Sequence, residues 1–496
     1  MTDPEELEVE SAAEVLESRT AGGKVIRGGA LRTAGYLAGT GLATVASVFL
    51  LRYLGVDDFG RYVTVMSVLA IVTGVTDVGL TIVGQREYAV ARDEATRQRL
   101  LADMLGIRLV VTPVGVVAGA LFGVIAGYDS TLVLGILVGG AGLVLAAAAA
   151  TLTIPLTVNL RFGLATLAEV SRQFAIVVGI AALVIAGASL LSFFAVQIAA
   201  GLLTLVVTAA LVGRAATPPP RFAMREWIPL LREAAPVAAS SIVNVVYVRM
   251  LVVLCSLVAS ATATGLFATS YRIIEAFVGI PAFMVGAAFP VLAHAGASDE
   301  ERLAYGLQRV GEVALLVALG IALVLAFAAD PIVEVLGGDE YRDAGPVLSI
   351  QAFALVGAFM TQVWALGLVS IRRQAALVLV NAIALATVLV LGLTLIPAFD
   401  EQGAAIAAVV GETVLAASLL VMLVRARSGL RPSLGYVWRL GLAAGVASLL
   451  TFLSGIPPAP AGALAGALYL VLAWLLRAVP VELLEALLRR RPDDVP

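Results

Sequence analysis

Long apolar runs separated by short polar turns dominate the chain. Runs of about 20 residues begin near Thr33, Tyr62, Leu109, Leu132, Leu164, Leu190, Ala234, Gly265, Val313, Val347, Ala375, Ala404, Leu440 and Gly462. Each is long enough to cross a hydrocarbon core of about 30 Å. A segment in lipid must satisfy its backbone hydrogen bonds internally, so these runs predict helices. The pattern is that of an all-α polytopic membrane protein with about fourteen transmembrane helices.

Composition agrees: 60% of the 496 residues are hydrophobic and 14% charged, and the mean hydropathy of +1.01 excludes a soluble globule. The sole cysteine, Cys255, rules out an intrachain disulfide or a cysteine metal cluster, and its place in an apolar run reads as buried filler. Met1 to Glu17 are acidic and polar where a cleavable signal peptide needs a basic and then an apolar region, so the first spanning helix is expected to do its own targeting. No GxxxxGK[ST] motif is present, so direct ATP drive is not expected; nor is a cofactor, a bound metal or a nucleic-acid partner.

The arginines set an orientation. With a cytoplasmic N-terminus, the inner connections carry Lys24, Arg27 and Arg32; Arg86, Arg92, Arg97, Arg99 and Arg108; Arg161; Arg214, Arg221, Arg225 and Arg232; Arg302; Arg372 and Arg373; Arg425, Arg427, Arg431 and Arg439; then Arg477 and Arg489 to Arg491. The outer connections carry only Arg52, Arg61 and Arg342. The bias predicts both termini in the cytoplasm, an even helix count and a cell (inner or cytoplasmic) membrane location.

The halves resemble one another. Gly60-Arg61-Tyr62-Val63-Thr64 aligns with Gly265-Leu266-Phe267-Ala268-Thr269 at an offset of about 205, and an extra outer segment, Asp330 to Gly345, then moves the offset to about 211. This predicts two six-helix parallel repeats about a pseudo-twofold axis along the membrane normal, with a cavity between them. The expected organisation is a cytoplasmic acidic tail (1–28), an N-terminal bundle (29–212), a cytoplasmic linker (213–232), a C-terminal bundle (233–424), two further helices (425–480) and a cytoplasmic tail (481–496). Pro218-Pro219-Pro220 in the linker favours an extended spacer, readable as a hinge or as a solvated loop. Phe222, Trp227 and Leu230 beside Arg221, Arg225 and Arg232 predict a short interfacial helix, and Val481 to Leu488 a second.

Charges inside the apolar runs are the candidate chemistry. A cation at a helix centre costs roughly 2.5–3.5 kcal/mol on insertion scales, so it marks a wet cavity or a nearby anion. Arg249 lies nine residues in from Val258 and Arg272 seven in from Gly265, which puts both about 10–14 Å from the outer ends of adjacent helices. Two guanidinium groups at one level suit a diphosphate. The alternative for Arg272 is a local pair with Glu275, three residues on. Arg309 with Glu312 and Arg172 with Glu169 repeat that spacing as structural or gating pairs. Asp77 and Glu412 are isolated acids that could couple transport to an ion gradient, or, for Asp77, sit hydrogen-bonded at a helix bend. Asn244, Gln351, Gln362 and Asn381 could line a sugar-binding cavity or serve as interhelical glue. His294 reads as interfacial. Gly279, Pro281 and Pro290 could bend a gating helix or simply shape it.

Tyr53-Leu54-Gly55-Val56-Asp57-Asp58-Phe59-Gly60-Arg61-Tyr62, with Asp77-Val78-Gly79-Leu80, resembles the first outer turn and second helix of bacterial and archaeal polysaccharide or lipid-linked oligosaccharide flippases. Gly265 to Arg272 leading to Pro281 and Pro290 resembles that family's eighth helix, Gly337 to Ala344 its short outer segment, and Asp400 to Ala407 its eleventh-to-twelfth turn. The resemblance covers Gly29 to Arg425, and the wider superfamily includes peptidoglycan-precursor flippases and multidrug and toxin extrusion antiporters. It implies alternating-access passage of a polyprenyl-(pyro)phosphate-linked oligosaccharide through a cationic lumen while the lipid tail stays among the membrane lipids. Glycan-assembly enzymes are then expected partners. Arg32 resembles the first-helix arginine of peptidoglycan-precursor flippases; as a charge near the inner end it is also a topology signal. Where some members carry an acid after the seventh-helix arginine, this chain has Met250. A drug-cation antiporter is the nearer alternative. A membrane glycosyltransferase or polymerase using Asp57-Asp58 is the more distant one, since the outer loops are short and the two acids also read as helix-start residues.

Overall fold

The structure, a computed structural model, describes residues 21–77, 79–213, 217–433 and 435–480, with most side chains from residue 35 onward. The side chains of Arg32 and Pro290, most of the acidic tail, the residues around Arg214 and the segment from Val481 on lie outside the described residues.

All described regular structure is helical: α1 Ala21–Asp77, α2 Leu80–Val90, α3 Glu94–Ile125, α4 Ser130–Leu152, α5 Ile154–Val158, α6 Phe162–Ile185, α7 Leu190–Val212, α8 Met224–Val258, α9 Ala261–Ser298, α10 Glu300–Phe327, α11 Ala329–Gly337, α12 Ala344–Gln351, α13 Ala354–Ser370, α14 Ala375–Ala426, α15 Gly435–Leu453 and α16 Pro458–Leu475. Twelve helical stretches among the described residues are long and apolar enough to cross a membrane, against the about fourteen expected. Two of the twelve, of 54 and 52 residues, contain helix breaks: one non-helical residue interrupts each of α1 and α14, and the longer stretch also passes the Gly79 turn into α2. Those residues are Gly55 (φ 71°, ψ 176°) and Asp400 (φ 48°, ψ −129°), and both fall in turns the sequence marks. The first has the positive φ that glycine adopts without steric cost.

The chain divides into two compact units. The first comprises the described residues to Tyr53 and Val65–Val245; the second comprises Leu54–Thr64 and those from Val246 onward.

In the first unit α4 lies along α7, with α3 and α6 against this pair. The α4/α7 approach is backbone on backbone: a Cβ on Gly142 would meet the main chain of Gln197 and Ile198, and one on Gly201 the carbonyl of Gly142. Small residues at such crossings let membrane helices gain dispersion contact that bulkier ones forbid. Beyond the C-terminal end of α1, Gly79 (φ 68°) turns the chain into α2. Pro219 and Pro220 are exposed, but the residue that follows them is held against α3. The Arg221 N–H donates to the Ala102 carbonyl at 2.9 Å, the Arg221 carbonyl occupies the space a side chain on Gly106 would need, and its guanidinium grips Glu226 at 2.6 and 2.8 Å. Trp227, expected at the membrane interface, is instead 5% exposed, packed with Leu80, Tyr88, Leu101, Met104, Ile107 and Ile154. Phe222, Met224 and Ile228 around it remain exposed, so among these residues Trp227 alone turns inward.

In the second unit α13 packs on α14, α9 and α10. The helices α15 and α16 attach to α10 through Tyr436, Leu440 and Tyr469, whose hydroxyl donates to the Leu316 carbonyl at 3.1 Å. The segment Leu54–Thr64 meets α9 through equivalent positions of the two repeats. A Cβ on Gly60 would meet the carbonyl of Ala261, and one on Gly265 the carbonyl of Val56. The second contact joins the repeat counterparts of the first, Gly265 for Gly60 and Val56 for Ala261. Asp57 accepts from Thr262 at 2.6 Å across the same offset, 205.

Candidate anion site and the buried charges

Arg249 comes from α8, and Tyr271, Arg272 and Glu275 from α9. Ser260 caps α9, accepting from the Ala263 N–H at 3.0 Å. The reversal from α8 to α9 is therefore only two residues long, which sets equal depths of the two helices side by side. Glu275 bridges the two arginines: Oε1 accepts from Arg249 Nη2 at 2.9 Å and Oε2 from Arg272 Nη1 at 2.7 Å. The Tyr271 ring lies 5.9 Å from the Arg249 guanidinium carbon, and its hydroxyl donates to the Val248 carbonyl at 3.1 Å. Both expectations for Arg272 thus hold at once: it pairs with Glu275 and shares a level with Arg249. Two cations share this one carboxylate, and the Arg249, Arg272 and Glu275 side chains are 26%, 42% and 29% exposed, within reach of an anion.

Glu412 on α14 accepts from the Tyr247 hydroxyl at 2.8 Å. Gly357 of α13 presses on the Glu412 backbone, so the acid is enclosed between helices. Gln351 is 1% exposed and is taken up by Ser270; that makes it interhelical glue, since it faces no open space. Gln362 is half-buried on α13, Asn381 donates to its own helix at Leu377 (2.8 Å), and Asn244 and His294 are exposed on α8 and α9. Arg172 and Arg309 do pair with Glu169 and Glu312, at 2.8 and 2.7 Å. Gln308 ties the second pair to Ser433, donating to Glu312 at 2.8 Å and accepting from the Ser433 N–H at 2.9 Å.

The first unit holds a charge that sequence reasoning misplaced. Arg108, assigned to a cytoplasmic connection, lies in the interior of α3 with its side chain 4% exposed. It donates to Asp77 at 2.5 Å, to Thr81 at 2.7 Å and to the Ala147 carbonyl at 3.0 Å, and Thr81 also donates to Asp77 at 2.7 Å. Asp77 is therefore the hydrogen-bonded acid at a helix break. Arg86 and Glu233 pair nearby, joining α2 to α8. Among the described residues no group of three or more His, Cys, Asp or Glu is placed to hold a metal ion.

A long chain of apolar helices, twelve of them among the described residues long enough to span a bilayer, with paired charges inside them, defines a polytopic helical membrane protein. Solved structures carry the same fold: a lipid II flippase, MurJ, in an inward closed conformation (TM-score 0.74, 12% identity, 90% of this chain and 99% of that one); an inward-facing multidrug resistance MATE family transporter of the MOP superfamily (0.61, 14%, 79% and 95%); and a MOP superfamily transporter from Pyrococcus furiosus described as having a binding pocket of reverse polarity (0.60, 13%, 87% and 100%). No curated protein matches the sequence. A family model described as polysaccharide biosynthesis protein matches residues 25–295. The chain belongs to that family.

Proposed function

We propose that the protein is a flippase that moves a polyprenyl-(pyro)phosphate-linked oligosaccharide from the cytoplasmic to the outer leaflet by alternating access, for cell-surface polysaccharide or glycoconjugate synthesis. The observation that carries this reading is the Arg249–Glu275–Arg272 cluster, two guanidinium groups converging on one anion inside apolar helices. Such forks suit phosphate oxygens, and partly exposed charges inside apolar helices are by default candidates for a functional site. Arg32 is a further candidate contact. The protein acts in the cell membrane with both termini cytoplasmic, performs no covalent chemistry, and receives its substrate from glycan-assembly enzymes. Glu412, held by Tyr247 next to this cluster in the same unit, is our candidate for ion coupling; Asp77, tied to Arg108, serves structure.

A second reading, an ion-coupled organic-cation antiporter, is favoured by the likeness to MATE transporters. The two separate in a binding experiment. A fluorescent polyprenyl-diphosphate oligosaccharide titrated against the protein in nanodiscs is expected to bind, with at least about tenfold loss in Arg249→Ala and Arg272→Ala. Binding of an organic cation in its place, undiminished by either substitution, would favour the antiporter.

A further inference from the structure

Glu275 uses its two oxygens as a phosphate uses two of its own, one to each guanidinium, at 2.9 and 2.7 Å. Resting on the flippase reading, we propose that Glu275 is a resident counter-anion that the substrate must displace. It thereby sets a charge threshold: a headgroup carrying two phosphoryl groups takes the arginines from it, and a singly charged phosphodiester does not.

The threshold follows from an exchange. Glu275 stands three residues from Arg272 on the same helix, so its effective concentration at the arginines is on the order of millimolar or higher. A phosphodiester brings the same single charge, gains nothing in Coulomb attraction over the carboxylate, and must also give up its freedom of motion. A diphosphate brings two charges and a phosphoryl group for each guanidinium. Glu275 is 29% exposed and can turn outward when replaced. Arg249 stays in place meanwhile, because it lies against the Tyr271 ring, which is itself fixed by its bond to the Val248 carbonyl. The filter has an evident use, since bulk anionic phospholipids are phosphodiesters and vastly outnumber a glycan carrier in the same bilayer.

The test compares a polyprenyl-diphosphate disaccharide with a polyprenyl-phosphate monosaccharide, both fluorescent, binding to wild type, Glu275→Gln and Glu275→Asp in nanodiscs. Wild type is expected to favour the diphosphate by about tenfold or more. Glu275→Gln should bind the monophosphate better and bring the ratio to within about threefold, and Glu275→Asp should restore it. An unchanged ratio in Glu275→Gln, or equal binding of the two lipids by wild type, overturns the inference while leaving the flippase reading standing. Wild type binding neither lipid overturns both. Should Glu275→Gln fail to fold, competition on wild type alone decides: inorganic pyrophosphate displaces the bound diphosphate lipid and dimethyl phosphate does not, and equal displacement by the two refutes the threshold.

Discussion

Replacing Asp77 with alanine strands a cation in the interior of the first unit. The Arg108 side chain is 4% exposed and among the described residues has no second carboxylate to turn to; its other bonds go to Thr81 and the Ala147 carbonyl, and its Nε is buried with no partner among them. Removing one member of a buried pair costs about 3–5 kcal/mol, against about 0–1 kcal/mol for an exposed pair. Asp77 is 32% exposed, so water partly screens its carboxylate and the lower end, about 3 kcal/mol, applies. At about 2–4 °C per kcal/mol for a unit of this size, the melting temperature falls by about 6–12 °C. Thermal unfolding in detergent, followed by fluorescence size-exclusion, reads this directly, with Glu169→Ala as the exposed control, whose pair with Arg172 is 57% exposed on the acid side. The double variant Asp77→Ala/Arg108→Leu removes the stranded charge and should recover at least about half of the loss. A single-variant shift no larger than that of the control, or a double variant as damaged as the single, refutes the assignment of Asp77 and Arg108 as a buried structural pair.

Three further outcomes follow from packing and capping. Gly142→Leu forces α4 from the α7 backbone and should lower the melting temperature by roughly 5 °C or more, whereas Gly441→Leu on α15, where a side chain meets open space, should change it by less than about 2 °C. Cys255 is 0% exposed, so a thiol-reactive dye should stay dark on the native protein at neutral pH and brighten only as the second unit melts; immediate labelling would contradict its burial. Asp93, before α3, accepts from the Thr96 N–H and hydroxyl at 2.8 and 3.0 Å, and these bonds hold its carboxyl below the ordinary range. A depressed acid contributes above its unfolded value and loses that contribution as pH falls through the folded one. Protection of the Thr96 amide from hydrogen exchange should therefore fall on acidification below about pH 4, and Asp93→Asn should lose this pH dependence.

Much of the fold was legible because its signals are local. Apolar length predicts spanning helices, and Gly55 and Asp400 sit in stretches whose polar residues mark turns. The Gly60/Gly265 alignment was legible because the close approach excludes a side chain from both copies of the repeat. Equal depth of Arg249 and Arg272 came from counting residues inward from a tight reversal. Glu275 was visible as the helical neighbour of Arg272, but its second bond, to Arg249, crosses between helices and leaves no spacing signature. Arg108 was hidden by its own flank. The apolar run starts at Leu109, whereas the helix starts at Glu94, so a residue four turns into α3 reads as the last basic residue of a loop. Trp227 misled for a related reason: an aromatic beside arginines has one sequence pattern whether it meets lipid or the side chains of α2, α3 and α5.

The most direct test is leaflet exchange in liposomes carrying a fluorescent polyprenyl-diphosphate oligosaccharide, read by dithionite quenching of the outer leaflet. Wild-type protein is expected to make the inner pool accessible, and Arg249→Ala and Arg272→Ala, checked to melt like wild type, to slow this by about tenfold or more. Exchange at the wild-type rate in both variants would contradict phosphate recognition by these arginines. No exchange by wild type, together with efflux of an organic cation, would assign the protein to the antiporters.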